Sequence, residues 1–320
     1  MKNIWLTGIM GLVVGDALGL PVQFSTREEM KAKPVKGMEG YGVFNVPEGS
    51  WSDDGSMALA TLCSLLEKDG VDYEDIMGRF ADWHFKGEYT PFGYAYDQGR
   101  TCLDAIYSYA KGADAYHCGQ TGERSNGNGS LMRILPVCLY AYEQEKKGAV
   151  KEDEALDMVH KVSALTHAHL RSQMACGIYY FLVKAVLNGE GSLQERLQKG
   201  VDDAKAYYEK DVANLTELAH YGRLFDLESF GQVQEDQIRS SGYVVDSLEA
   251  AVWGLLTTDT YREALLKVVN LGEDTDTIAA IAGGLGALYY GYEGIPAEWI
   301  EVVQKREWIE EVCEGMTHKA

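Results

Sequence analysis

A chain of 320 residues, 46% apolar and 24% charged, carries enough apolar side chain for a sizeable core, as one large domain or two ordinary ones. Its net charge of −20 argues against a nucleic-acid backbone or an anionic membrane as partner, because both need a basic surface. An anionic ligand would have to be held by local devices: backbone amides, a metal ion, a few arginines.

Residues 4–19 read as a helix with Gly8, Gly11, Gly15 and Gly19 on one face, a spacing that lets a partner helix approach closely. No strand precedes these glycines, so they do not form a nucleotide loop. The apolar stretch at 4–14 follows a single lysine, a poor start for a signal peptide, and Gly15-Asp16-Ala17 reads as part of the fold. Pro21 ends the helix, and residues 26–50, rich in glycine, form a long surface loop. Helices are expected at 57–68, 73–86 and 101–110, with a Gly- and Tyr-rich loop at 89–100. A second loop at 119–129 leads into a helix at 131–143. Helices at 152–165, 169–188 and 193–214 follow, then a stretch at 215–242 that reads as a loop or a poorly patterned pair of short helices. Helices at 245–257, 260–270 and 277–292 close the core, with a terminal helix at 296–312.

No period-2 strand, fixed repeat or low-complexity linker stands out, so the expected fold is one all-α domain spanning residues 1–320. The run at 278–292 is too short and glycine-rich for a membrane span. Six cysteines without a C-x-x-C pair read as free core thiols in a reducing compartment, and the expected location is cytoplasmic.

Two acidic corners carry the chemistry. Ser52, Asp53 and Asp54 precede one apolar run, and Asp274, Asp276 and Thr277 open another. Each set reads either as a helix cap or as oxygen ligands for a hard cation such as Mg²⁺. Doubled acids exceed what one cap needs, and the pairing of the two corners into one site is the expectation. The loop Ser125-Asn126-Gly127-Asn128-Gly129-Ser130-Leu131-Met132 reads as an anion-binding loop or as an ordinary Asn-Gly turn. Thr166-His167-Ala168-His169 lacks a third soft ligand nearby, which favours a ligand-contacting or structural histidine over a zinc site.

Taken in order, Gly15-Asp16-Ala17-Leu18-Gly19, Trp51-Ser52-Asp53-Asp54, Asn126 to Arg133, Thr166-His167 and Gly272 to Thr277 resemble the ADP-ribosylglycohydrolase family, which includes the dinitrogenase reductase-activating glycohydrolases. The resemblance implies an all-α orthogonal helical bundle with a two-Mg²⁺ (or Mn²⁺) centre in a cleft. The family's metal ligands fall on Ser52, Asp53, Asp54, Asp274, Asp276 and Thr277. Residues 126–132, with Asn126, Gly127, Asn128, Gly129, Ser130 and Met132, would hold the distal ribose and diphosphate, and His167 would line the cleft. Gly242 and Tyr243 match a stretch at the adenosine end, where Tyr243 packs on adenine or is a plain loop tyrosine. Asp97, in Tyr96-Asp97-Gln98-Gly99, either pairs with the guanidinium of an ADP-ribosylated arginine or caps a helix.

This chain departs from the family pattern at Gln23, where many relatives carry Glu, at Ser52 for a common Thr, and at Gly55 for another. An amide at Gln23 still offers an oxygen but cannot act as a base. The implied activity is metal-dependent hydrolysis of the bond between ADP-ribose and a protein side chain, arginine first, with Asp53 or Asp54 as general base. Serine-linked or small-molecule substrates, a non-catalytic ADP-ribose binder or structural protein, and a metal phosphohydrolase releasing AMP are the competing readings.

Overall fold

At the centre of the computed structural model, which describes residues 3–319, two glycine-bearing helices lie backbone to backbone. They are α1 (Ile4–Gly19) and α14 (Thr275–Tyr290). A β-carbon added to Gly15 would fall 2.0 Å from the carbonyl oxygen of Ala279, and one on Gly283 would fall 2.3 Å from that of Gly11. Only glycine permits that approach. Tyr261 Oη donates to the Gly11 carbonyl at 2.8 Å, and Thr275 Oγ1 to that of Gly19 at 2.8 Å, which fixes the register of the pair. The middle of α1, with Asp16, is thereby set beside the first turn of α14, with Asp276.

Around this pair lie α2 (Arg27–Ala32), α3 (Asp53–Lys68), α4 (Tyr73–Lys86), α5 (Arg100–Ala110), α6 (Leu135–Lys146), α7 (Glu152–Ala164), α8 (Leu170–Asn188) and α9 (Leu193–Tyr208). After them come α10 (Leu215–Leu218), α11 (Leu227–Gly231), α12 (Val244–Leu256), α13 (Tyr261–Val269), α15 (Ala297–Glu301) and α16 (Arg306–Lys319). No strand forms among the described residues, and the fold is all-α; the isolated bridges Gln120–His167 and Gly127–Tyr243 pin single loops. Buried apolar side chains from Trp5 to Met316 make one cluster. The window at Ile4–Val22 is apolar enough to cross a membrane by composition, yet 83% of it is buried inside the protein, as a core helix is.

Local chemistry sets the boundaries. Asp72 caps α4 by accepting from the Asp75 amide, and Gly87 ends it at φ +70°. Ser192 and Glu195 form a capping box at the start of α9. Four expectations are corrected. The loop at 26–50 contains α2, nucleated by the Thr26–Glu29 capping box. The helix after the glycine loop starts at Leu135, because Pro136 suits a first turn; residues 131–133 are a 3₁₀ turn. The charged helix stops at Tyr208. The terminal helix is two helices, with Lys305 at φ +53° between them.

Segment 22–35 is strapped to residues 235–273. The Arg27 guanidinium donates to the carbonyls of Glu235, Ile238 and Leu271, and Asn270 exchanges hydrogen bonds with the backbone of Val35. Phe24 and Glu273 both sit in the left-handed region, at φ +65° and +63°, and the Phe24 amide donates to the Glu273 carbonyl at 2.7 Å.

Candidate active site

Three carboxylates from three helices meet at the start of α3. One oxygen from each of Asp16, Asp54 and Asp276 lies within 4.8 Å of the others, and all three residues are fully buried. Asp16 reaches across from α1 to accept the amides of Ser52 at 2.9 Å and Gly55 at 2.8 Å. It therefore caps α3 from outside the helix, in place of Ser52, whose side chain makes no cap bond. A β-carbon at Gly55 would press to 3.1 Å from Asp16 Oδ2, so the bare glycine keeps this cap in place.

The acids beside Asp16 are freed from capping. Asp54 Oδ2 lies 3.1 Å from Ser52 Oγ and accepts from Thr277 Oγ1 at 3.4 Å, while its Oδ1 is buried without a partner. Asp276 Oδ1 accepts the Thr277 amide at 2.8 Å, and its Oδ2 is also buried and unpaired. Asp274 stands at the N-cap of α14 without making a cap bond, and accepts instead from Asn128 Nδ2 at 2.6 Å. Asp97 caps nothing, since α5 begins at Arg100 with Gly99 before it; its carboxyl lies near Asp276 and Gln23. Gln23 is buried near Asp97 and Asp274, and its Oε1 has no partner among the described residues.

Burial is the first cause that pushes every one of these carboxyls up. Asp16 is raised to about 7, against the pull of the Gly55 and Ser52 amides. Asp53 is held well above the carboxylate range by burial and then by Asp97 and Asp54; for Asp54 the neighbours are Asp16 and Asp274, and for Asp276 they are Asp97 and Asp54. Asp97 and Asp274 are raised too. So many ionisable oxygens in one dry space demand neutralisation by protons or by a cation.

Beside the acids opens a cleft of about 620 Å³, lined by Asp53, Asp97, Asn128, Met132, His167 and Asp274 with the backbone of Gly127, Gly129 and Gly242. Gln23 and Thr277 reach it as well. Asn128 anchors the loop by donating its amide N–H to the Gly242 carbonyl at 3.0 Å and its side chain to Ser247 Oγ at 2.8 Å and Asp274. The close pass of His167 over Gly129, whose β-carbon would lie 3.0 Å from the ring, requires that glycine. His167 is buried, hydrogen-bonded through Nδ1 to Thr166 Oγ1 at 2.8 Å, and held down to about 3 by burial and by the Arg133 charge.

Three expected contacts point elsewhere. Asn126 is used internally, accepting from Ser172 Oγ at 3.0 Å and donating to the Glu123 carbonyl at 3.1 Å. Ser130 turns into the core to accept from Ser163 Oγ at 2.9 Å. Tyr243 is half-buried under the Arg171 guanidinium, 5.9 Å from the ring centre, outside the residues that line the cleft. Glycine-loop spacing predicts a loop but not which side chains face in. Sequence reasoning also passed over Asp16 as a site residue, along with Phe24, Cys102 and Glu273 at the cleft wall. A lone acid in an apolar helix, as Asp16 is, was the one available signal.

A family model described as ADP-ribosylglycohydrolase matches residues 5–320. The chain is 28% identical over 312 residues to the ADP-ribosylarginine hydrolase Tri1 of Serratia proteamaculans (strain 568), covering 98% of this chain and 78% of that protein. It is 32% identical over 302 residues to the ADP-ribosyl-[dinitrogen reductase] glycohydrolase of Rhodospirillum rubrum, covering 92% of this chain and 88% of that one. Among solved structures, one titled as an ADP-ribosylglycohydrolase-related protein complex superposes with a TM-score of 0.79 at 28% identity, over 99% of this chain and 98% of the other.

Proposed function

The chain belongs to the ADP-ribosylglycohydrolase family, and from that membership we propose that it hydrolyses the bond between ADP-ribose and an arginine side chain, with Mg²⁺ or Mn²⁺ in its acidic centre. The observation that carries this reading is the pair of buried, unpaired carboxylate oxygens, Asp54 Oδ1 and Asp276 Oδ2, within a ring of acids that opens on the cleft. Oxygens left bare in that way fit a hard cation. Ser52, Asp53, Asp54, Asp274, Asp276 and Thr277 would hold two such ions, with Asp16 orienting Ser52 and the start of α3. When bound, the ions supply charge neutralisation and Lewis acidity toward the ribose.

The chain's own residues do the rest. Asp53 lines the cleft, whereas Asp54 lies behind it, so Asp53 is the better placed base. It takes a proton from water as the water oxygen bonds to the anomeric carbon. The C–N bond to the guanidino group breaks, its electron pair leaves with the departing nitrogen, and that nitrogen takes up the proton removed by Asp53, which restores the carboxylate. Asp97 at the cleft wall offers a carboxylate to the guanidinium. Support for arginine comes from this acid and from the relatives named for arginine or dinitrogen-reductase substrates.

The test is product analysis on arginine- and serine-linked ADP-ribose, with and without EDTA. Release of intact ADP-ribose from the arginine conjugate, lost with EDTA, is expected. AMP as product would point to a phosphohydrolase, and binding without turnover would reduce the protein to a reader of ADP-ribose.

A further inference from the structure

Arg133 makes no salt bridge among the described residues, although Asp53 acts on its charge from a distance. It is fully buried, stacked 4.6 Å from the Phe80 ring centre, and its Nε and Nη1 have no hydrogen-bond partner. Its Nη2 donates to one group, Thr166 Oγ1, at 2.6 Å. The same hydroxyl lies 2.8 Å from His167 Nδ1. The histidine backbone is pinned on both sides, by the His167 amide to the Ser163 carbonyl at 2.9 Å and by the Gln120 amide to the Thr166 carbonyl at 2.9 Å.

We infer that Arg133 and Thr166 are positioning residues that fix the tautomer of His167, leaving its proton on Nε2 as a permanent hydrogen-bond donor to an oxygen of the ligand in the cleft. Guanidinium can only donate, so it occupies an acceptor site of Thr166 and leaves the hydroxyl proton to be given away. The acceptor in hydrogen-bond reach is His167 Nδ1, and the nearby Cys102 sulfur is a weaker one. A ring that receives at Nδ1 carries its proton on Nε2. The buried charge acts in the same direction, since it favours the Nδ1 lone pair facing it and opposes an imidazolium, in keeping with a His167 pKa lowered to about 3. Nε2 lies by the bare glycines Gly127 and Gly129, at the cleft wall. The histidine so held is neither acid nor base. Its ligand oxygen, a ribose hydroxyl or a diphosphate oxygen, rests on the function proposed above; the tautomer does not.

The experiment is a long-range ¹H–¹⁵N correlation spectrum of the full chain labelled in histidine, with His167→Gln to assign the ring among the seven histidines. The expected pattern is an Nε2-protonated neutral ring that does not titrate between about pH 5 and 8, where a free histidine would. Thr166→Val should disturb that pattern and weaken ADP-ribose binding on the order of tenfold, while Thr166→Ser restores both. A proton on Nδ1, titration near the ordinary histidine value, or a Thr166→Ser ring unlike the parent would overturn the assignment. An Nε2-protonated ring that ADP-ribose leaves unshifted would sink the ligand reading and keep the tautomer.

Discussion

Asn128 Nδ2 stands 2.6 Å from Asp274 Oδ2, so the glycine loop and the acidic corner at the start of α14 are one hydrogen-bonded unit. A charge-assisted bond of this kind contributes roughly 1.5–3 kcal/mol. Asn128→Ala should lose about that much from the stability of the loop and should raise KM for the ADP-ribosyl substrate. Asn128→Asp puts a second carboxylate against Asp274 and should do more damage in metal-free protein than in metal-loaded protein. Thermal melts with Mg²⁺ and with EDTA, beside steady-state kinetics, separate the two effects.

Asp54 and Asp276 are held together against their repulsion. Asp54→Asn or Asp276→Asn removes one ionisable group from a dry site at almost constant volume. The metal-free protein should melt at a higher temperature than the parent, and the rise in Tm on adding Mg²⁺ or Mn²⁺ should shrink or vanish. Turnover should fall by more than about 100-fold, because even outer partners of a metal are worth about 10–100-fold. A variant with parental turnover would remove this residue from the metal centre.

The pH dependence has two opposed parts. Asp16 has its folded pKa raised from 3.8 to about 7. Its contribution to stability is fully present below the unfolded value and is lost as pH rises through about 7. Neighbouring acids, all raised, act in the same sense. His160 and His167, lowered to about 4 and 3, do the reverse, and their contribution is lost as pH falls below 6.5. A bound divalent ion would take the place of the protons on the acids. The gap in Tm between metal-loaded and EDTA-treated protein should therefore widen from about pH 5 to about pH 8, as read by scanning calorimetry.

Gly15→Ala would drive a methyl into the backbone of Ala279, with 2.0 Å between β-carbon and carbonyl oxygen where ordinary contact needs far more. Overpacking of this sort costs about 1–3 kcal/mol and occasionally more. The loss should exceed that of Gly148→Ala, a surface position with open space around it but a φ of +71°. Activity should fall along with stability for Gly15→Ala alone, because α1 and α14 carry Asp16 and Asp276.

Long helices announced themselves. The glycine face of α1 called for a close partner, and α14 supplied it with Ala279, Gly283 and Ala287. The oxygen-rich starts of α3 and α14 suggested a common site, and their side chains meet through the bond of Thr277 Oγ1 to Asp54 Oδ2. What stayed hidden depends on direction and distance. Ser130 and Asn126 sit in a loop legible from its glycines, but only the path of the backbone decides that both side chains turn inward. Asp16 is separated by 36 residues from the Ser52 amide that it caps, a relation no local spacing reveals. The left-handed backbone of Phe24 and Glu273 is likewise invisible, since nothing in either side chain asks for it.

That last pair has a mechanical consequence. Phe24 N–H to Glu273 and Glu273 N–H to Ser25, each at 2.7 Å, rivet the strand of chain carrying Gln23 to the one carrying Asp274. Arg27 clamps the same two segments a few residues further on. This wall of the cleft must travel as one piece, whereas Phe92 and Tyr94, in the loop that leads to Asp97, stand exposed. Amide exchange should accordingly be slow at Phe24 and Glu273 and fast along the approach to Asp97.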